Sequence, residues 1–298
     1  MLICKGEIKI ELTYKKVKTI LIILLGANLF VAISKIIVGL IINSSSVMAD
    51  GFHSISDSAS NIVGIIGITL ASKPKDNEHP YGHKKFETIS SIIIGLMLLI
   101  LGFNVIKTSI YKLFNPSILE ISFVSLLIIL ITLVINIFVA IYENKQGHKL
   151  NSQLLIADSL HTKSDIFVSI GVLFALLTMK LGLPPIVDTI TSFIVALFIL
   201  HASYEIIKDN LSSLTDKIMI EEEAILDILK EFKSIKDIHN IRSRGHKDYI
   251  FLDMHIKVDS NLKVDEAHKL VHDIEDTLSH RLNKKIDLII HVEPILVK

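Results

Sequence analysis

Two copies of one polar pattern sit inside long apolar runs, and that placement restricts the fold more than any other feature. The first copy reads Ala49-Asp50-Gly51-Phe52-His53-Ser54-Ile55-Ser56-Asp57, and the second reads Ala157-Asp158-Ser159-Leu160-His161-Thr162-Lys163-Ser164-Asp165. Asp50 and Asp158, His53 and His161, Asp57 and Asp165 are each 108 positions apart. In a helix, a His and an Asp four residues later share a face, one turn apart. An ionised side chain at mid-bilayer costs roughly 3 kcal/mol or more. Four carboxylates and two imidazoles therefore imply an ion or proton pathway. A helix-packing hydrogen-bond network accounts for one such pair well and for a duplicated pair with fixed spacing poorly. Two such helices, face to face, offer two imidazoles and two carboxylates. That donor set suits a tetrahedral site for a borderline divalent cation, zinc first.

The surrounding sequence agrees with a membrane setting. Half of the 298 residues are hydrophobic, and the formal net charge is zero, so nothing points to nucleic acid. Apolar runs of spanning length cover about 19–42, 47–71, 88–112, 118–142, 153–180 and 186–206. No small-residue cleavage site follows the first run, which reads as a helix and not a signal peptide. Polar loops are expected at 72–85 and 143–152, with tight turns at Asn43–Ser46, Asn115-Pro116 and Gly182–Pro185. Asn104 and Asn136 inside the runs suit interhelical hydrogen bonding, and Lys35 suits snorkelling or a carboxylate partner. Six spans put both termini on one side. Lys5, Lys9, Lys15, Lys16, Lys18, Lys73, Lys75, Lys84, Lys85, Lys145 and Lys149 lie on that side, against Lys107, Lys112 and Lys180 on the other. The positive-inside rule then makes this a multi-pass protein of the cell membrane with cytoplasmic termini. The motif begins near the outer end of span two but a third of the way along span five from its inner end. The two halves meet only if the site lies off centre or the helices are staggered.

After about residue 210 the pattern changes. Residues 221–232 are amphipathic at helical spacing, 237–243 and 249–258 alternate like strands, 264–282 form a long amphipathic helix, and 286–292 a last strand. The expected architecture is a cytosolic N-terminal segment (1–18), a six-helix transmembrane domain (19–208) and a small cytosolic α+β, ferredoxin-like domain (209–298). Single Cys4 excludes an intrachain disulfide. No His-Glu-x-x-His, Gly-x-Ser-x-Gly or Gly-rich phosphate loop is present, so a membrane metalloenzyme lacks a familiar signature.

The duplicated His-x-x-x-Asp motif on the second and fifth of six spans, followed by such a tail, resembles the cation diffusion facilitator family. The resemblance covers about residues 15–294. It implies transport of a divalent metal, commonly zinc leaving the cytoplasm in exchange for protons. It implies zinc both as cargo and as a regulatory ion, no organic cofactor, no enzymatic activity and a homodimer. Iron, manganese, cadmium or cobalt export by the same family, or a metal-sensing or assembly role, are the alternatives. By resemblance, His53, Asp57, His161 and Asp165 are the transport ligands. Asp76, His79 and His83, three potential ligands within eight residues, match a loop site of some members. His239, His255, His268 and His291 fall where the family places ligands of a regulatory site in the cytosolic domain. Glu293 stands there where some members have Asp. Lys85 and Asp216 match an interdomain charge pair. Asp50 and Asp158, three residues before each motif His, are expected to support the ligands or carry protons. His246, His272 and His280 match no motif and are expected on the surface.

Overall fold

The computed structural model describes residues 2–41, 55, 58–114, 123–180, 186–246 and 249–295. It divides into two compact units, Met1–Leu211 and Ser212–Lys298. The first is built of helices: α1 Leu2–Ile41, α2 Ala59–Ala71, α3 Lys85–Phe114, α4 Phe123–Leu150, α5 Gln153–Lys180 and α6 Ile186–Leu214. Among the described residues, the stretches Leu12–Ser34, Lys85–Tyr111 and Ile190–Leu214 are long and apolar enough to cross a membrane. The described part of α2 is shorter, and α5 carries Asp158, Lys163 and Asp165 in its first half. Apart from Ile55, the first motif copy lies outside the described residues, as do the expected turns at Asn43–Ser46, Asn115-Pro116 and Gly182–Pro185.

Three helices run further than the hydropathy pattern implies. The polar segment 1–18 is not a separate piece: α1 continues through it for 40 residues. At 1.5 Å per residue that is about 60 Å, roughly twice a bilayer's hydrocarbon thickness. No Pro falls within it to break the backbone ladder. Residues 143–150 of the expected polar loop are likewise helical. The connection to α5 is only Asn151-Ser152, with Asn151 in the left-handed conformation (φ 50) that ends helices. α6 extends to Leu214. Hydropathy marks where a helix leaves the apolar layer, whereas the helix ends where its hydrogen bonding ends.

The bundle core joins Val17, Leu21 and Leu24 of α1 to Ile68 of α2, Ile94 and Leu98 of α3, Leu154 and Leu155 of α5, and Ile199 and Ile206 of α6. Ile23, Phe30, Ile100, Phe138 and Phe198 point outward. An outward apolar girdle of this kind is what a lipid-facing surface requires. Small residues bring backbones close. A Cβ at Gly67 of α2 would collide with Ser90 Oγ of α3, and one at Gly147 of α4 would stand 2.9 Å from Ile156 Cγ1 of α5.

The second unit runs α7 Glu222–Leu229, β1 Asp237–His246, β2 Tyr249–Val258, α8 Val264–Leu282 and β3 Lys285–Pro294. This is the helix–strand–strand–helix–strand order expected, on a three-stranded sheet ordered β1-β2-β3. β1 pairs antiparallel with β2, and β3 pairs parallel with β2 after the α8 crossover. One face is apolar. Ile250, Leu252, Met254, Ile256 and Val258 alternate inward along β2 and meet Ile225 and Leu229 of α7, Ile274 and Leu278 of α8, and Ile286 of β3. The register of β1 shifts between His239 and Arg242, where Asn240 adopts φ 54.

Candidate metal sites

The outer face of that sheet, opposite the apolar core, gathers imidazoles by strand register. His239 on β1 stands opposite His255 on β2, and His255 opposite His291 on β3. Ring centroids are 5.2 Å apart for His239–His255 and 4.8 Å for His255–His291. Glu293, two residues along β3, returns to the same face. Its Oε1 is 2.9 Å from His255 Nδ1 and its Oε2 is 3.6 Å from His239 Nε2. Ligand atoms of His239, His255 and Glu293 all fall within 4.8 Å of one another, a spacing a divalent ion can bridge. Glu293 thus reaches the cluster despite its longer arm. Its carboxyl is held below the usual range, first by the hydrogen bond with His255, then by His239 and His291. Asp237 is 3.2 Å from His239 Nδ1 and accepts from Lys257 Nζ at 2.9 Å, which lowers it as well. A supporting carboxylate beside a ligating imidazole fixes its ring.

His268 does not join this cluster within one chain. It is exposed on α8, its ring 4.6 Å from that of His272. Asp216 lies 3.7 Å from Arg244 in the same unit. Its expected partner, Lys85, belongs to the other unit.

The loop between α2 and α3 brings its three candidates together. Asp76 Oδ1 accepts from the His79 and Glu78 backbone N–H groups at 2.6 and 3.1 Å, an Asx-type turn. Asp76 Oδ1 is 3.2 Å from His79 Nδ1, and Oδ2 is 3.4 Å from His83 Nε2. Gly82, at φ +88, lets the chain reverse so that His83 comes back over His79, with ring centroids 4.2 Å apart. His83 is only 5% exposed and stacks on Phe86; its Nδ1 has no hydrogen-bond partner among the described residues. A carboxylate and two imidazoles within 4.8 Å fit a divalent ion of zinc type. The loop's far end is fixed where Ser152 Oγ donates to Glu87 Oε1 at 2.6 Å, tying α3 to the α4–α5 turn.

The Asp76 carboxyl is also held below its ordinary value, chiefly by the His79 N–H and then by the two imidazoles. A depressed carboxyl contributes stability that is present above its unfolded value and lost as pH falls through the folded one. The loop should hold its shape at neutral pH and loosen progressively as pH falls from about 4, the unfolded carboxylate range, through the lower folded value. Hydrogen exchange at the His79 amide, measured down a pH series, checks this. Protection unchanged by Asp76→Ala would contradict it.

In the bundle, the second motif copy lies on α5. His161 is 6% exposed, and neither ring nitrogen has a hydrogen-bond partner among the described residues. Asp165 follows one turn later, half-buried. His53, Asp57 and Asp50 lie outside the described residues. Asp158 is 1% exposed and accepts from Asn61 Nδ2 of α2 at 2.6 Å, and Asn61 Oδ1 accepts from Asn28 Nδ2 of α1 at 3.0 Å. Thr162 Oγ1 donates to Glu143 Oε2 of α4 at 2.9 Å. Asn28, Asn61, Glu143 and Thr162 were not among the expected site residues. Two of the four carry a signal: Asn61 follows Asp57 by four, and Glu143 is a carboxylate at the end of an apolar run.

Apolar helices that bury an imidazole–carboxylate face, with an ion-spaced loop and an imidazole cluster on a separate α+β unit, define a membrane transporter of divalent metal. Residues 21–215 match the family model described as the cation efflux transmembrane domain, and residues 219–295 match the cytoplasmic domain of cation efflux proteins. The chain belongs to the cation diffusion facilitator family of divalent-cation efflux transporters. It is 33% identical over 275 residues to the uncharacterized transporter MJ0449 of Methanocaldococcus jannaschii, covering 90% of this chain and 94% of that one. It is 32% identical to the manganese efflux system protein MneP of Bacillus subtilis, over 93% of this chain and 96% of that one. The cation-efflux pump FieF of Shewanella oneidensis is 27% identical over 89% of each chain.

Proposed function

We propose that the chain exports zinc from the cytoplasm across the cell membrane in exchange for protons. The cargo site is the four-ligand set His53, Asp57, His161 and Asp165 on two of six spanning helices. The observation that supports this most is His161, buried, with both ring nitrogens unpartnered among the described residues and one turn from Asp165. A buried imidazole without a partner is uncommon in a settled core and is what a ligand needs. Zinc takes a neutral imidazole and ionised carboxylates, so loading expels protons and acid on the far side returns them. Asp50 and Asp158 support the ligands, with Asp158 held by Asn61. The cytoplasmic domain binds regulatory zinc through His239, His255, Glu293 and His291. It joins two copies into a homodimer, with His268 contributing where the copies meet. Both termini face the cytoplasm.

One observation favours a second cargo. The similarity to MneP, named for manganese efflux, extends over nearly the whole of both chains. Flux of zinc, manganese, iron and cadmium into proteoliposomes under an imposed pH gradient separates the readings. Zinc should move with the lowest KM. Manganese flux with little zinc flux would replace the cargo, and flux of none would overturn transport.

A further inference from the structure

The hydrogen-bonded series Asn28–Asn61–Asp158, which joins α1, α2 and α5, points to a lock that closes the metal path between the cargo ligands and the 72–85 loop. The inference rests on the transport reading above and assigns Asn28 and Asn61 to it as positioning residues. Asn28 Nδ2 donates to Asn61 Oδ1 at 3.0 Å, and Asn61 Nδ2 donates to Asp158 Oδ2 at 2.6 Å. Asn61 is 2% exposed and Asp158 1%. With its oxygen held by Asn28, the Asn61 amide keeps its N–H groups turned to Asp158. A buried carboxylate needs its donors, so this bond holds α2 against α5.

Order along the two helices places the lock. α2 runs toward the 72–85 loop, and Asn61 stands four residues after Asp57 in that direction. α5 runs away from the Asn151-Ser152 turn, and Asp158 stands three residues before His161. The Ser152–Glu87 hydrogen bond puts that turn beside the start of α3, at the same end of the bundle as the loop. Both partners therefore stand about one helical turn from the ligands, on the loop side. One turn further that way, apolar side chains seal the bundle. A Cβ at Gly64 of α2 would stand 3.3 Å from Leu21 Cδ1 of α1 and 3.6 Å from Leu154 Cδ2 of α5. Leu21, Ile68, Leu154 and Leu155 are all buried there. A hydrated cation cannot cross a polar lock backed by this layer unless α2 parts from α5. The loop side is thus closed here, and uptake of metal from that side requires the Asn61–Asp158 bond to break.

The test reads how fast a buried position reacts from the loop side. Ala157→Cys, in a Cys4→Ser background, places a thiol one residue before Asp158, and a charged methanethiosulfonate is added to everted membrane vesicles. Ser72→Cys, at an exposed position just past the loop end of α2, should react at once in the same vesicles and so fixes which side they present. Adding Asn61→Ala should speed the Ala157→Cys reaction about tenfold or more, because a hydrogen bond to a buried charged group holds the closed state. Asn28→Ala should speed it less and should add little on top of Asn61→Ala, since the two act through one bond. Zinc flux from the loop side should show a lower KM in Asn61→Ala, because more of the protein stands open to that side. A merely structural loss would not lower KM. Equal reaction rates with and without Asn61→Ala would overturn the lock, as would fully additive effects of the two substitutions. If Asn61→Ala does not assemble, Asn28→Ala alone must still speed the reaction. A native protein that moves no zinc would fail the transport reading, while the reaction rates would still decide the lock.

Discussion

Asp165→Ala should abolish metal flux while the protein remains folded and in the membrane. Asp165 sits one turn beyond His161 on the same helix, and an ion held by both loses an anionic donor when the carboxylate goes. The loss should exceed the roughly 10- to 100-fold drop in affinity seen when only a supporting partner of a ligand is removed. Truncation at a half-buried position leaves the bundle core of Leu21, Ile68, Leu98 and Leu155 untouched. Assembly, read by size-exclusion elution, should therefore match the native protein. His161→Ala should behave alike, and Asp57→Ala should do so through the other half of the duplication. Native flux in the Asp165 variant would remove this residue from the cargo site.

The second large effect belongs to the cytoplasmic domain. The fragment 212–298 carries its own core around Ile250, Leu252, Met254 and Ile274, so it should fold when expressed alone. Zinc at a hundredfold excess over its dissociation constant should stabilise it by about 2.7 kcal/mol. For a domain of this size that is a rise in Tm of roughly 10 °C or more. His255→Ala together with His291→Ala should erase the rise, because His255 stands between His239 and His291 and contacts Glu293. In the full chain the same pair should shift the zinc dependence of flux and leave flux present. A fragment whose melting ignores zinc would show that these imidazoles are not ligands. A correctly folded double variant with no flux would place the domain on the transport path.

The imidazole cluster was legible only through the family resemblance, which named His239, His255, His268 and His291 together. Alternation within 249–258 and 286–292 is local, but the register that sets His255 opposite His291 is a long-range pairing made only when the sheet forms. The α8 range was legible because its apolar positions recur at helical spacing between Lys263 and the left-handed Asn283. The loop ligands were visible as three donors in eight residues, although only the Asx-type turn at Asp76 and the reversal at Gly82 explain why they converge. The Glu143 face was not legible. Glu143 opens a run of polar residues that, without the fold, looks like the start of a loop. Its meaning comes from α4 staying helical to Leu150 and from Gly147 letting α5 close against it. Asn61 was hidden likewise, since an Asn inside an apolar helix declares no partner until Asp158 is seen 2.6 Å away. His268 is the reverse case: the resemblance implies a ligand, and within one chain its neighbour is His272.

The claim that divalent metal moves out against protons is tested most directly by watching both at once. Sealed proteoliposomes would hold a pH-sensitive dye in the lumen and no initial pH difference, and zinc would be added outside. If binding to neutral imidazoles and ionised carboxylates expels protons, zinc entering the lumen must be matched by protons leaving it. Lumen pH should then rise in step with zinc uptake, in native vesicles and not in those holding Asp165→Ala. Zinc uptake with a lumen pH no different from protein-free vesicles would contradict the exchange.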